Sequence, residues 1–228
     1  MLQWVYERAV ESRATEVLIA TDDLLIVSAA HSFGAETVMT GASHSSGTDR
    51  IAEVARLRRW PEQDIVVNVQ GDEPLIPPTL IRQVAALLEA NGDADIATLA
   101  APISSLHEFM DPNAVKVVTD SAGKALYFSR APIPWDRDTA SAGVSSRRSF
   151  AGARRHVGIY AYRVGALIRL AALPPSPLEI TEKLEQLRAL QNGFRIWVAD
   201  TEQRPGPDVN TPADLERVAA LLQLNTAP

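Results

Sequence analysis

Six consecutive residues hold the densest chemistry in this sequence: Val69-Gln70-Gly71-Asp72-Glu73-Pro74. The apolar run Ile65 to Val69 reads as a parallel strand covered on both faces. Gly71 breaks it, and Asp72 and Glu73 fall at its carboxyl end, where ligands sit in open α/β sheets. A carboxylate there suits Mg²⁺, which takes hard oxygen ligands and bridges to substrate phosphates. The segment therefore points to metal-assisted work on a nucleotide, with Asp72 as its leading residue; a solvated turn carboxylate is the plainer alternative. Gln70 lies two residues earlier, on the same side of the strand as Asp72, where its amide can bond a base or a sugar.

Three further stretches could supply binding groups. His44 to Arg50 runs from a loop into a helix, with Ser46 and Thr48 as capping types and Gly47 allowing close backbone approach. Free amides at such a start favour an anion. Arg50 in the first turn opposes the helix dipole and so asks for a compensating anion; an unpartnered surface arginine is the rival reading. Arg155 to Tyr162 places His156, Gly158, Tyr160 and Tyr162 on one strand face, a set suited to a polyhydroxylated ligand or to a packed aromatic core. Arg130 adds a cation near a strand end. Glu179, Glu182, Glu185 and Gln186 recur at helical spacing, a pattern that by itself is usually a solvated face.

The elements that must carry these groups alternate. A helix from Leu2 leads to a strand at Val17–Ala20, a helix at Leu25–Phe33, a strand at Glu36–Met39 and a helix at Thr48–Arg59. After the strand at 65–69 come a helix entered through Pro77-Pro78 and a strand at Ile96–Ala100. This predicts an α/β fold, a mainly parallel sheet flanked by helices. The rhythm changes after Pro102. Ala114–Thr119 and Ala125–Ser129 read as a hairpin, 138–148 as a loop and His156–Arg163 as a strand. A single helix is expected over Leu178–Gln191, stopped by Asn192-Gly193, then a strand at Arg195–Ala199 and a helix at Thr211–Leu222. One domain over 1–228 is expected, with 103–163 as a smaller lobe.

Composition narrows the partners. The 228 residues are 46% hydrophobic and 22% charged, enough to bury a core. A net charge of -6 argues against nucleic acid, and no polybasic run addresses a membrane surface. No apolar stretch is long enough to span a bilayer. The absence of cysteine rules out disulfides and thiolate chemistry and fits a reducing, cytoplasmic setting.

Taken together, Gln70-Gly71-Asp72-Glu73-Pro74, Ser46-Gly47-Thr48-Asp49-Arg50, Leu126 to Arg130, Ile133 to Arg137, Arg155 to Tyr160 and Leu184 to Arg188 closely resemble the 3-deoxy-manno-octulosonate (Kdo) cytidylyltransferases, also called CMP-Kdo synthetases. The resemblance implies a Rossmann-like nucleotide-diphospho-sugar transferase fold with a β-rich dimerisation lobe. It implies transfer of CMP from CTP to Kdo with Mg²⁺ for lipopolysaccharide assembly, by a homodimer. It makes Asp72 and Arg50 catalytic, sets Ser46, Gly47 and Gln70 against the nucleotide, and gives Gln70, Arg50, Arg130, His156, Tyr160, Glu185 and Gln186 to the sugar. The metal would fall to Asp72 and to Asn210, where the family usually has Asp; Asp208 is the neighbouring alternative. The family also carries a strand and an Arg/Lys loop ahead of the helix that opens here at Met1, so weak CTP binding and poor stability are expected of the 228-residue chain. The alternatives are a cytidylyltransferase for 8-amino-Kdo or another acidic sugar, and a truncated non-catalytic homologue.

Overall fold

The computed structural model describes residues 1–44, 46–140, 150 and 152–225. In chain order the elements are α1 (Leu2–Glu11), β1 (Leu18–Thr21), α2 (Leu24–Ser32), β2 (Glu36–Met39), α3 (Gly47–Arg58), β3 (Ile65–Asn68), α4 (Pro78–Ala90) and β4 (Ile96–Pro102). Then follow α5 (Leu106–Met110), β5 (Lys116–Thr119), β6 (Ala125–Ser129), α6 (Arg137–Ala140) and β7 (Arg154–Arg163). The chain continues through α7 (Val164–Ala171), α8 (Pro177–Glu182), α9 (Gln186–Gln191), β8 (Ile196–Asp200) and α10 (Pro212–Asn225). Most of the expected loop at 138–148 lies outside the described residues.

The long strand β7 organises the sheet. Along one edge it pairs antiparallel with β4 from Arg154 to Tyr162, and β4 in turn pairs parallel with β8. Its other edge is shared: β3 pairs at Tyr160–Arg163 and β5 at Arg154 and Arg155, both antiparallel. The β5–β6 hairpin predicted around Asp120–Gly123 is thereby joined to the main sheet. β1 and β2 form a separate parallel pair.

The α/β class holds, with a mixed sheet. β3 and β4 run in the same direction, as a parallel reading of Ile65–Val69 requires. The strand bonded between them is β7, which returns from the hairpin lobe in the opposite direction. Among the described residues β3 pairs only with β7, and Ile65, Val66 and Val67 are half-buried rather than covered on both faces.

Two apolar layers flank this sheet. On one face Leu80, Ile81, Val84 and Leu88 of α4 pack on Leu99, Val157, Ile159 and Ala161. Each such fully buried side chain contributes about 1.5–3 kcal/mol. The opposite face buries Ile96, Tyr162 and Val198 against α3, α7 and α9, through Ala52, Leu167, Leu170 and Leu187. The helix α7 was not expected from sequence; its run Val164 to Leu170 is apolar nearly all round because it is buried.

The helix expected over 178–191 is two. Lys183 takes left-handed angles (φ 54°, ψ 46°) and closes α8, while α9 starts at Gln186. Ser176 and Glu179 form a reciprocal capping box at the start of α8. The Glu182 carboxylate accepts Ser129 Oγ at 2.7 Å and Arg130 N at 2.8 Å, which ties the break to the end of β6. The charged ladder 179–186 is thus not one solvated face but three differently employed carboxylates.

Candidate active site

A cleft opens where β3, β4 and β7 meet the start of α3 and of α9. It is lined by Gly47, Thr48, Asn68, Gln70, Ile96, Tyr160, Tyr162, Leu170, Glu185 and Gln186. Five sequence-predicted residues therefore converge: Gly47, Gln70, Tyr160, Glu185 and Gln186. A larger cavity of about 710 Å³ opens between Thr119, Phe150 and Arg154, but it holds none of the predicted site residues.

The α3 start is built as the sequence suggested. Ser46 caps the helix, its side chain accepting from Asp49 N at 3.1 Å. A Cβ at Gly47 would meet Asn68 Nδ2 at 3.6 Å, an ordinary contact, and both residues line the cleft. The loop before it is held by Glu53, whose carboxylate pairs with His44 and accepts Gly41 N at 2.9 Å.

Opposite α3, the helix break turns Glu185 inward. Burial raises its carboxyl pKa, and hydrogen bonding with Thr48 partly offsets this. Glu185 Oε1 is buried and has no hydrogen-bond partner, which leaves an acceptor for a bound hydroxyl. Thr48 also bonds Tyr162, and the rings of Tyr160 and Tyr162 stack at 5.8 Å and 26°. Burial drives the pKa of both phenols up, so each is a neutral donor.

His156 lies on the same β7 face, just beyond the cleft lining. Its ring is 5.2 Å from Tyr160 and edge-on to Phe128 at 5.1 Å. Nε2 is 2.9 Å from Thr98 Oγ1, a fully buried hydroxyl that also reaches the carbonyls of Val157 (3.1 Å) and Ile159 (2.7 Å). Thr98 thereby fills the irregularity where the β4–β7 register shifts. Burial, with the nearby Arg155 guanidinium, lowers the His156 pKa to about 3, so the ring is neutral in use.

The two predicted arginines sit apart from the cleft. Arg50 donates to Thr40 Oγ1 at 2.6 Å and pairs with Asp22 at 3.2 Å, at the ends of β1 and β2. Arg130 gives Nε to Glu182 O (2.6 Å), Nη1 to Pro112 O (2.8 Å) and Nη2 to Lys183 O (3.4 Å). Its guanidinium is spent on backbone carbonyls, two of them at the α8–α9 break and one just before β5.

The Asp72 turn forms a second part of the site. Val209 N donates to Asp72 O at 2.9 Å, fastening the 206–210 segment to the turn. Gly206 presses on Leu75 so tightly that a Cβ would lie 2.6 Å from Leu75 Cβ and O. Burial, then Asp72, then Asp208 raise the Glu73 carboxyl to about 7, and Glu73 Oε2 is buried without a partner. Asn210 Nδ2 donates to Asp208 Oδ2 at 2.7 Å. Among the described residues no three His, Cys, Asp or Glu side chains cage an ion by themselves.

Sequence reasoning missed Thr48, Asn68 and Thr98 as working residues. Asn68, buried at the end of an apolar strand, carried a readable signal; Thr98 did not, since its role comes from the β7 irregularity.

Residues 1–196 match the sequence family described as Cytidylyltransferase. This chain belongs to that family. Within it, the 3-deoxy-manno-octulosonate cytidylyltransferase of Thioalkalivibrio sulfidiphilus is 54% identical over 98% of this chain and 88% of its own length. The protein of the same name from Cellvibrio japonicus is 56% identical at the same coverage. A solved structure of CMP:2-keto-3-deoxy-manno-octonic acid synthetase complexed with CTP superposes with a TM-score of 0.86 at 40% identity, over 98% of this chain and 88% of that one. A 4-diphosphocytidyl-2C-methyl-D-erythritol synthase shares the fold at 14% identity, with a TM-score of 0.56 over 96% of this chain and 88% of that one. The cytidylyltransferase fold is the Rossmann-like frame the sequence predicted.

Proposed function

We propose that this cytidylyltransferase transfers CMP from CTP to 3-deoxy-manno-octulosonate, releasing pyrophosphate. One observation carries the reading. Residues 1–196 carry the cytidylyltransferase match, and relatives 52–56% identical over 98% of the chain bear that activity in their names. The cleft supplies what such substrates need. The α3 start offers backbone amides to an anion. Gln70, Tyr160, Glu185 and Gln186 offer hydrogen-bond donors and acceptors to a polyhydroxylated acid.

In the reaction the anomeric 2-hydroxyl of the sugar forms a bond to the α-phosphorus of CTP. The bond from that phosphorus to the pyrophosphate oxygen breaks, and the hydroxyl proton is lost. The cleft's part is positioning: Glu185 and Tyr160 hold the sugar while the α3 start holds the nucleotide. Arg50 reaches a substrate carboxylate by giving up Asp22 or Thr40.

Mg²⁺ fits the Asp72 turn. Among the described residues no ion pair engages Asp72, Glu73 or Asp208, and an orphaned buried carboxylate oxygen lies among them. Mg²⁺ commonly takes one or two carboxylates and completes its shell with phosphates and water. Bound there, it would neutralise phosphate charge during transfer. Two further features belong to the proposal: a homodimer formed through the β5–β6 lobe, and a cytoplasmic role supplying lipopolysaccharide assembly.

Pyrophosphate release with CTP or UTP, each with Kdo, 8-amino-Kdo or a nonulosonate, tests the reading. Release is expected with CTP and Kdo above all other pairs. Preference for another nucleotide or sugar would replace it.

A further inference from the structure

Asp208 and Asn210 are both candidates for the second metal position, and their surroundings differ. The segment is held in place from two sides: Val209 N on Asp72 O at 2.9 Å, and Gly206 packed against Leu75. Between these anchors Asp208, next to the Val209 N–Asp72 O bond, is brought to the turn. No arginine or lysine among the described residues neutralises the carboxylates of Asp72, Glu73 and Asp208, although the molecule pairs many others.

Asn210 is engaged in two other ways. Its amide nitrogen donates to Asp208 Oδ2 at 2.7 Å. Its backbone N–H, with the N–H and hydroxyl of Thr211, is gathered by Asp214 Oδ2 at 3.3, 3.0 and 2.8 Å, at the start of α10. Asn210 therefore serves the helix start and orients a carboxylate, the work of a group one layer behind a ligand. An amide brings no charge to a hard cation, whereas Asp208 brings a full one.

We infer that Asp208, and not Asn210, supplies the second carboxylate for the divalent cation, with Asn210 orienting it. This rests on the proposed cation at Asp72. Position 208 carries the charge, and position 210 carries the donor that aims it. Residue 210 then acts on the metal only through residue 208.

The test is binding of Mn²⁺ alone to the full chain, read by electron paramagnetic resonance of the free ion. Wild type, Asp72→Asn, Asp208→Asn, Asp208→Ser, Asn210→Ala and the double variant Asp208→Asn/Asn210→Ala are compared. Circular dichroism confirms that each is folded, and the near-isosteric Asn and the small Ser guard against one misfolded variant. Asp72→Asn and both Asp208 variants should weaken Mn²⁺ at least tenfold. Asn210→Ala should weaken it less and add nothing in the Asp208→Asn background. If Asp72→Asn weakens binding but neither Asp208 variant does, or if Asn210→Ala keeps its effect in the double variant, the inference is overturned and the cation at Asp72 stands. If wild type and Asp72→Asn bind alike, the cation reading falls too.

Discussion

The ion pair between Glu179 and Arg188 should be the costliest to break. Arg188 Nε and Nη2 reach the two Glu179 oxygens at 2.9 and 2.6 Å, and the side chains are only 6% and 13% exposed. Arg188 also donates to Leu173 O at 3.3 Å, and Glu179 accepts Ser176 N at 2.9 Å. The pair thus joins α8 to α9 across the Lys183 break that aims Glu185 and Gln186. Arg188→Ala leaves a nearly buried carboxylate without its partner, a change that costs about 3–5 kcal/mol. That is a large share of the roughly 5–15 kcal/mol holding a domain together. Glu179→Gln/Arg188→Met removes both charges, keeps volume and leaves an acceptor for Ser176, so it should cost about 1–2 kcal/mol. Urea unfolding of wild type, both singles and the double gives the coupling, expected at about 2 kcal/mol or more. A loss under about 1 kcal/mol for Arg188→Ala, or additive singles, would refute the reasoning.

Two other perturbations follow from the geometry. His156 is held near pKa 3 in the folded chain, below the ordinary 6.5, so its contribution to stability is full above pH 6.5 and is lost as pH falls toward 3. Wild type should lose about 1–2 kcal/mol more than His156→Gln between pH 7 and pH 5, read by urea midpoints; parallel profiles would contradict this. Gly206→Ala places a Cβ 2.6 Å from Leu75, so the 206–210 segment must shift. A loss of about 1–3 kcal/mol is expected, together with weaker Mn²⁺ binding; unchanged values for both would show that the contact is slack.

Much of the frame was readable before the fold was known. Alternating apolar runs and their stop signals located β1, β2, β3, β4 and β8 to within a residue or two, because each is bounded by a local cue such as Gly34 or Pro77. Gly47, Gln70 and Tyr160 were named from type and spacing, Glu185 and Gln186 from the family resemblance, and the five share one cleft. What stayed hidden was non-local. The antiparallel insertion of β7 between β3 and β4 depends on pairing across 52 to 98 residues, which no local pattern encodes. The split of 178–191 is set by Glu182 reaching back to Ser129 and Arg130, so a helical pattern was overruled by tertiary bonds. Arg130 itself, a plausible substrate cation by type, is occupied by three backbone carbonyls that only the folded chain brings near it.

The most direct test of the account joins product identity to the cleft. CTP, Kdo and Mg²⁺ are incubated with the chain, and with Glu185→Gln, at high enzyme concentration, and products are identified by ³¹P NMR and mass. The account predicts CMP-Kdo and pyrophosphate in equal amounts from wild type. Glu185→Gln should raise the KM for Kdo about tenfold or more while the KM for CTP changes little, since an amide then replaces the carboxyl group whose buried Oε1 has no other partner. No CMP-Kdo from the wild-type chain, or a Glu185→Gln variant with unchanged KM for Kdo, would contradict it.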